Sequence, residues 1–275
     1  MKTLTLQLIL GAALLAPAPI LAQSYSEGEI NIPGAVVFAQ GIDDNDQVVG
    51  YFDGPSGRQG FVLSQGVVAQ IEAGYPLVEA LGINSVTGIV GYWQTPEALG
   101  WLDAKRNYMA FKSGSRKIIT GINASGTFVG WDQTTAKGFV NTKGVYTTIL
   151  PSPCQNSQVQ GVNSNGDLVG FCSDNLHYGV GFARIGGVDE VISVFGRPTF
   201  PTGINDYGTI AGYFQDASGN YHGFLLAEEN ATQFDFAGFN TYDTQILGIN
   251  NRGSLSGTAY DTNLNQPVGF FAFAN

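Results

Sequence analysis

One phrase recurs six times along this chain, and its period decides what the chain can fold into. It runs GIDDNDQVVGYF from Gly41, GINSVTGIVGYW from Gly82 and GINASGTFVGWD from Gly121. It returns as GVNSNGDLVGFC from Gly161, GINDYGTIAGYF from Gly203 and GINNRGSLSGTA from Gly248. These starting glycines lie 41, 39, 40, 42 and 45 residues apart. A second phrase follows each copy, a glycine and an aromatic in a short apolar run: QGFVL, LGWLD, KGFVN, VGFAR, HGFLL and VGFFA. Self-similarity at this period marks a chain built from supersecondary units that bury their faces against one another.

Each repeat parses into four short strands. In the fifth, a strand ends at Thr202–Asn205, Asp206–Gly208 turns, and Thr209–Gln215 forms the next. His222–Ala227 is the third strand, and Ala231–Ala237 the fourth. The Asn-x-x-Gly segment suits a tight hairpin, because Asn and Gly both tolerate the left-handed conformation. Gly makes up 38 of 275 residues and charged residues only 12%, a balance that favours turns and close backbone approach over solvated helices. Four strands per unit in tandem predict an all-β fold, a six-bladed β-propeller with four antiparallel strands per blade. Glu27–Ile32 matches the fourth strand of a repeat and Val268–Phe273 the third, so the N-terminal strand is expected to complete the last blade. A β-solenoid is the rival architecture, but its coils are usually shorter and no capping unit is visible.

The Gly-Ile-Asn-x-x-Gly-x-Ile-Val-Gly-x-Tyr phrase followed by His-Gly-Phe-Leu-Leu resembles the bacterial extracellular HAF repeat. Only the fifth repeat carries His222-Gly223-Phe224 in full; the others keep the glycine and the aromatic. The resemblance covers nearly all of the chain after the leader. It implies export and a propeller-like repeat, and it implies no activity.

Residues 1–22 read as a signal peptide, with Lys2, an apolar run from Leu4 to Leu15, and a small-residue cleavage site after Ala22. The run is too short to span a bilayer. The mature chain, 23–275, is then a single secreted or periplasmic domain, expected to be a monomer. A formal charge of −10 repels phosphate backbones, which argues against nucleic acid as a partner. Cys154 and Cys172 flank the hairpin turn Asn163–Gly166, within about three residues of facing one another. A disulfide and two free thiols are both compatible with that placement.

Standard catalytic motifs are absent. His177 and His222, the two histidines, sit near the loop between second and third strands and are candidate general bases, with Asp243 and Arg58 as further acid-base candidates. A consensus buttressing role is the stronger reading of His222. Asp43, Asp44 and Asp46 crowd the first turn and are candidate Ca²⁺ ligands, although the EF-hand spacing fails and a solvated Asx turn fits better. No other cofactor is implied. Asp43, Asn84, Asn123, Asn163, Asn205 and Asn250 hold one equivalent position, where Asn more often bonds its own turn than a ligand. Tyr51, Tyr92, Trp131, Phe171 and Tyr213 follow the second-strand glycine and read as packing. Loop aromatics Trp93, Tyr178, Tyr221 and Tyr242 are candidate ligand-stacking residues. The chain is therefore expected to be a non-catalytic extracellular binding module for glycan or protein. The alternative is an extracellular hydrolase, lyase or isomerase working in the central funnel.

Overall fold

The structure, a computed structural model, describes residues 23–71, 78–93, 100–102, 108–110, 116–174, 178–238 and 240–275. The expected leader lies outside them. Every described element is a strand, and no described helix is long and apolar enough to cross a membrane.

The first repeat forms β2 (Val36–Ile42), β3 (Val48–Gly54), β4 (Gly57–Ser64) and β5 (Val67–Ile71). The third forms β10 (Lys117–Ile122), β11 (Phe128–Asp132), β12 (Lys137–Thr142) and β13 (Val145–Ile149). The fourth forms β14 (Asn156–Val162), β15 (Leu168–Ser173), β16 (Tyr178–Ile185) and β17 (Val188–Ile192). The fifth forms β18 (Thr199–Ile204), β19 (Ile210–Gln215), β20 (Tyr221–Ala227) and β21 (Asn230–Phe234). In the sixth, β22 (Thr241–Ile249), β23 (Leu255–Asp261) and β24 (Gln266–Ala274) are joined by β1 (Tyr25–Ile30). The fold is thus a β-propeller of antiparallel sheets.

Among the described residues there are five four-stranded blades, where the repeat count predicts six. The second repeat contributes two separate pairs, β6 (Val78–Asn84) with β7 (Gly88–Trp93), and β8 (Gly100–Leu102) with β9 (Tyr108–Ala110). Its connecting segments 94–99, 103–107 and 111–115 lie outside the described residues.

The innermost strands follow one another around an axis. A methyl group on Gly41 would stand 3.0 Å from Gly82 Cα, and one on Gly82 3.1 Å from Gly121 Cα. One on Gly161 would stand 3.1 Å from Gly203 Cα, and one on Gly248 3.1 Å from Gly41 Cα. Only a residue without a side chain lets six strands meet so tightly. The apolar core accordingly lies between blades. Val129 and Ile149 pack with Val159 and Phe182, and Val169 and Ala183 pack with Phe214 and Phe224.

A second glycine set does something the sequence does not reveal. Gly50, Gly91, Gly130, Gly170, Gly212 and Gly257 recur at one second-strand position, a pattern that predicts close approach of neighbouring blades. Their tightest contact is instead inside their own blade. Each inner strand has a register shift two residues before its Gly-Ile-Asn ending, which pushes a carbonyl onto the facing second-strand glycine. A Cβ on Gly130 would lie 1.9 Å from the Ile118 oxygen, and one on Gly212 2.2 Å from the Phe200 oxygen.

The chain ends meet as expected. All six residues of β1 pair antiparallel with β24, from Tyr25 opposite Ala274 to Ile30 opposite Gly269. The seam between sixth and first repeats is also latched by polar groups. Asn250 Nδ2 donates to the Asp43 carbonyl at 2.7 Å and to Asp46 Oδ1 at 2.9 Å. The Asn251 backbone N–H and its Nδ2 donate to the two oxygens of Asp44, and Arg252 pairs with Asp46 at 2.8 Å. The exposed Arg252 pair contributes roughly 0–1 kcal/mol and the buried Asn250 bond about 1 kcal/mol, so the six-residue strand pairing carries most of the closure. Cys154 and Cys172 are joined in a disulfide; Ser157, not Cys154, faces Cys172 across the hairpin.

Candidate functional site

Antiparallel connection sends the Asn turns to one end of the ring and the second-to-third-strand loops to the other. Both ends carry a candidate site.

At the turn end, an axial cavity of about 150 Å³ is lined by the equivalent residues of all six repeats. Ile42, Ile83, Ile122, Val162, Ile204 and Ile249 line it, together with Asp43 and the five repeat asparagines. The amides are committed to structure. Asn123, Asn163, Asn205 and Asn250 are buried, and each Oδ1 accepts backbone N–H groups of its own turn. Asp206 at the mouth accepts from the Ser164 backbone at 2.7 Å and from Asn251 Nδ2 at 2.9 Å. Asp44 and Asp46, candidates for calcium, spend their oxygens on the sixth repeat as described above. Among the described residues no three His, Cys, Asp or Glu side chains gather as a metal site.

At the loop end the sites are side-chain clusters that bridge neighbouring repeats. Between the first and second repeats, Arg58 Nε and Nη2 donate to both oxygens of Asp53 at 2.8 Å. Its Nη1 donates to Glu79 at 2.6 Å, and the guanidinium lies 4.5 Å from the Tyr51 ring centre. The Arg58 hydrogen bonds hold the Asp53 carboxyl below the usual range. Burial, reinforced by Glu79, pushes the Tyr51 phenol up to about 12.

Between the fourth and fifth repeats the equivalent cluster is aromatic. Phe200 is buried and touches Phe171 at 5.3 Å, Tyr178 at 5.5 Å and Tyr213 at 4.8 Å between ring centres. Tyr221 stands edge-on to Tyr213 at 5.4 Å. Tyr178 is 69% exposed. Burial and the phenols of Tyr178 and Tyr221 raise the pKa of the Tyr213 hydroxyl, keeping it a neutral donor. Asp243 accepts the Tyr221 backbone N–H at 2.7 Å and so anchors the start of β20.

The remaining candidates are scattered. His222 lies next to Tyr221, and alternation along β20 turns it to the other face of the blade. There Nδ1 meets Asp235 at 2.8 Å and Nε2 meets Asp216 at 3.4 Å, with the ring stacked on Phe214. Burial alone would lower its pKa; the bonds and charges of Asp235 and Asp216 outweigh it and raise the value. Tyr242 is 44% exposed and leans on Tyr260. Trp93 ends β7, and its side chain, like His177, lies outside the described residues. Tyr51, Tyr92, Trp131, Phe171 and Tyr213 are half-buried, between the packing and exposed extremes.

Glu79 and Phe200 were missed from sequence. Both occupy the inner-strand position three residues before the repeat glycine, filled in the other repeats by Phe38, Ile118, Gln158 and Gln245. Each faces the second-strand aromatic position across the sheet. A position fixed in space yet occupied by acid, amide, aliphatic and aromatic side chains is the signal that marks it.

No protein-family model matches the chain, and no curated protein matches it. Among solved structures, it is similar to a catalytically inactive virginiamycin B lyase from Staphylococcus aureus, with quinupristin. That match has a TM-score of 0.52 and 11% identity, and it covers 91% of this chain and all of that one. A lectin of Aleuria aurantia, in complex with Fucα1-6GlcNAc, matches with a TM-score of 0.45 and 11% identity, over 79% of this chain and 82% of that one. At this identity the first likeness is one of fold alone.

Proposed function

We propose that this chain is a secreted, non-catalytic binding module that holds glycans against the inter-repeat side-chain clusters at its loop end. The observation that carries the reading is the aromatic shelf of the fourth and fifth repeats. There the exposed Tyr178 ring stands over buried Phe200, with Tyr213 and Tyr221 beside it. Tyrosine rings offer an apolar face to a sugar and a hydroxyl to its hydroxyls, at little cost in side-chain entropy. In an enzyme the acid-base candidates would converge. Here Arg58 is bound within the first two repeats, His222 sits on the far face of the fifth blade, and Asp243 holds backbone. The axial cavity holds about 150 Å³, below the ~300 Å³ at which ligand pockets begin.

The proposal includes a sixth blade built by the second repeat, a leader at residues 1–22 that directs export, and a monomeric mature chain that avoids nucleic acid. The disulfide supports an oxidising compartment.

The test is a screen of residues 23–275 on a glycan array, with and without calcium, followed by calorimetry on any hit. Tyr178→Ala should weaken binding by about tenfold, the loss of one stacking contact of ~1.4 kcal/mol. Tyr242→Ala should leave affinity unchanged. A wild-type protein that retains no glycan in either condition, or a hit indifferent to Tyr178→Ala, would sink the reading.

A further inference from the structure

The repeat Asn does two jobs at once. In the third to sixth repeats its Oδ1 caps its own turn while its Nδ2 donates to the backbone carbonyl of the equivalent residue in the next repeat. Between the second and third repeats Thr87 Oγ1 makes that donation instead, to the Asn123 carbonyl at 3.0 Å. Asn123 reaches Asn163 at 2.8 Å, Asn163 reaches Asn205 at 3.1 Å, Asn205 reaches Asn250 at 3.2 Å, and Asn250 reaches Asp43 at 2.7 Å. The direction never changes, so these links run around the axis like a chain of hands.

Asp43 stands at the equivalent position where the first repeat meets the second. Its Oδ1 behaves as in the other repeats, accepting from the N–H groups of Asn45 at 3.0 Å and Gln47 at 2.9 Å. Its Oδ2 takes the place of the amide nitrogen. The residue is 4% exposed, lines the axial cavity, and this oxygen is buried without a hydrogen-bond partner. By the pattern of the other repeats its counterpart is the Asn84 carbonyl, another acceptor. A buried oxygen set against a carbonyl has no favourable interaction until a hydrogen lies between them.

We infer that Asp43 is held as a neutral carboxylic acid, whose Oδ2–H donates to the Asn84 carbonyl and replaces the missing amide. Burial favours the uncharged form, and the Asp44 and Asp46 carboxylates on the same turn add to it. The two turn N–H groups oppose these effects, and the net shift is upward. From the sixth repeat the groups packed against this turn are the neutral amides of Asn250 and Asn251, and Arg252, whose charge is taken by Asp46. The facing turn of the second repeat, Asn84 to Gly88, contains no titratable side chain. A metal ion would need further free carboxylates, and Asp44 and Asp46 are already bonded to Asn250, Asn251 and Arg252.

A carboxyl whose folded pKa lies above its unfolded value stabilises the fold fully below the unfolded pKa. That contribution is lost as pH rises through the folded pKa. The contact between first and second repeats is therefore an acid-favoured link, in a ring whose other links to the repeat carbonyls are made by amide and hydroxyl donors that do not titrate.

Two measurements on residues 23–275 test this. Carboxyl ¹³C titration, assigned in the wild type through its backbone, should give Asp43 a midpoint above the ordinary aspartate range. Thermal melts from pH 4.5 to 9.5 should show Asp43→Asn matching wild type at the acid end. At the alkaline end it should melt about 2–4 °C higher, the shift expected for one recovered hydrogen bond in a domain of this size. An ordinary or lowered midpoint overturns the inference, as does a difference between the two proteins that does not change with pH. Calcium raising the melting point of wild type but not of Asp43→Asn would also overturn it, by making a cation the link.

Discussion

The bulge glycines can be tested at Gly212. Its backbone is in the extended range open to any residue, so Gly→Ala there would ordinarily gain about 0.4–1 kcal/mol by stiffening the unfolded chain. The structure reverses the sign. The new Cβ would lie 2.2 Å from the Phe200 carbonyl oxygen, and 2.9 Å from both the Phe224 ring and Pro201 Cα. The nearest atom and the Pro201 Cα are backbone, so relief requires β18 and β19 to separate by most of an ångström. Overpacking costs about 1–3 kcal/mol, and weakening two ladder hydrogen bonds adds about 1 kcal/mol each. Net of the entropic gain, Gly212→Ala should cost about 3 kcal/mol. That lowers the melting temperature by about 6–12 °C in a domain of this size. Calorimetry and urea denaturation would read it. Gly208→Ala is the control: its φ is +81° and its surroundings are open, so it should lose only about 1–2 kcal/mol of left-handed strain. If Gly212→Ala melts within a degree of wild type, or above Gly208→Ala, the account of the second-strand glycine is wrong.

Two further outcomes are expected. The disulfide spans 18 residues of chain and should contribute about 3 kcal/mol through the unfolded state; reduction, or Cys154→Ser with Cys172→Ser, should lower the melting temperature by about 6–12 °C, and an unchanged melt would refute it. The raised pKa of His222 means its bonds to Asp235 and Asp216 stabilise fully below the unfolded histidine value and fade as pH rises through the folded one. His222→Gln should therefore flatten the urea midpoint between pH 5.5 and 8.5, and a variant with the wild-type slope would show that the pair contributes nothing.

The Gly-Ile-Asn phrase made the strand ends, the hairpins and the closure by β1 legible, because each rests on local backbone preference or on matching the two ends of one period. The second half of the asparagine's work was not legible, since its Nδ2 partner lies some 40 residues away in sequence. The acidic turn at Asp43 to Asp46 suggested calcium or solvent for the same reason: Asn250, Asn251 and Arg252 meet it from more than 200 residues along the chain. The bulge glycines were assigned to the wrong neighbour, because a register shift leaves no mark in composition. Tyr178 and Tyr221 were found as loop aromatics. Phe200 and Glu79, which complete the two clusters, sit near the starts of inner strands, outside the loops where ligand residues are sought, and only the ring places them beside a neighbour.

The pairing of β1 with β24 also sets the order in which the molecule can be finished. A growing chain holds β1 as a loose ribbon, its hydrogen-bonding edge open, while one blade after another stacks behind it. Only when β24 arrives does that ribbon acquire its mate. Until then the arc remains open and can still lose blades from its free end; afterwards, to leave, any blade must break contacts on both sides. Completion of the ring is thus a single late event that converts a string of weak units into one cooperative body.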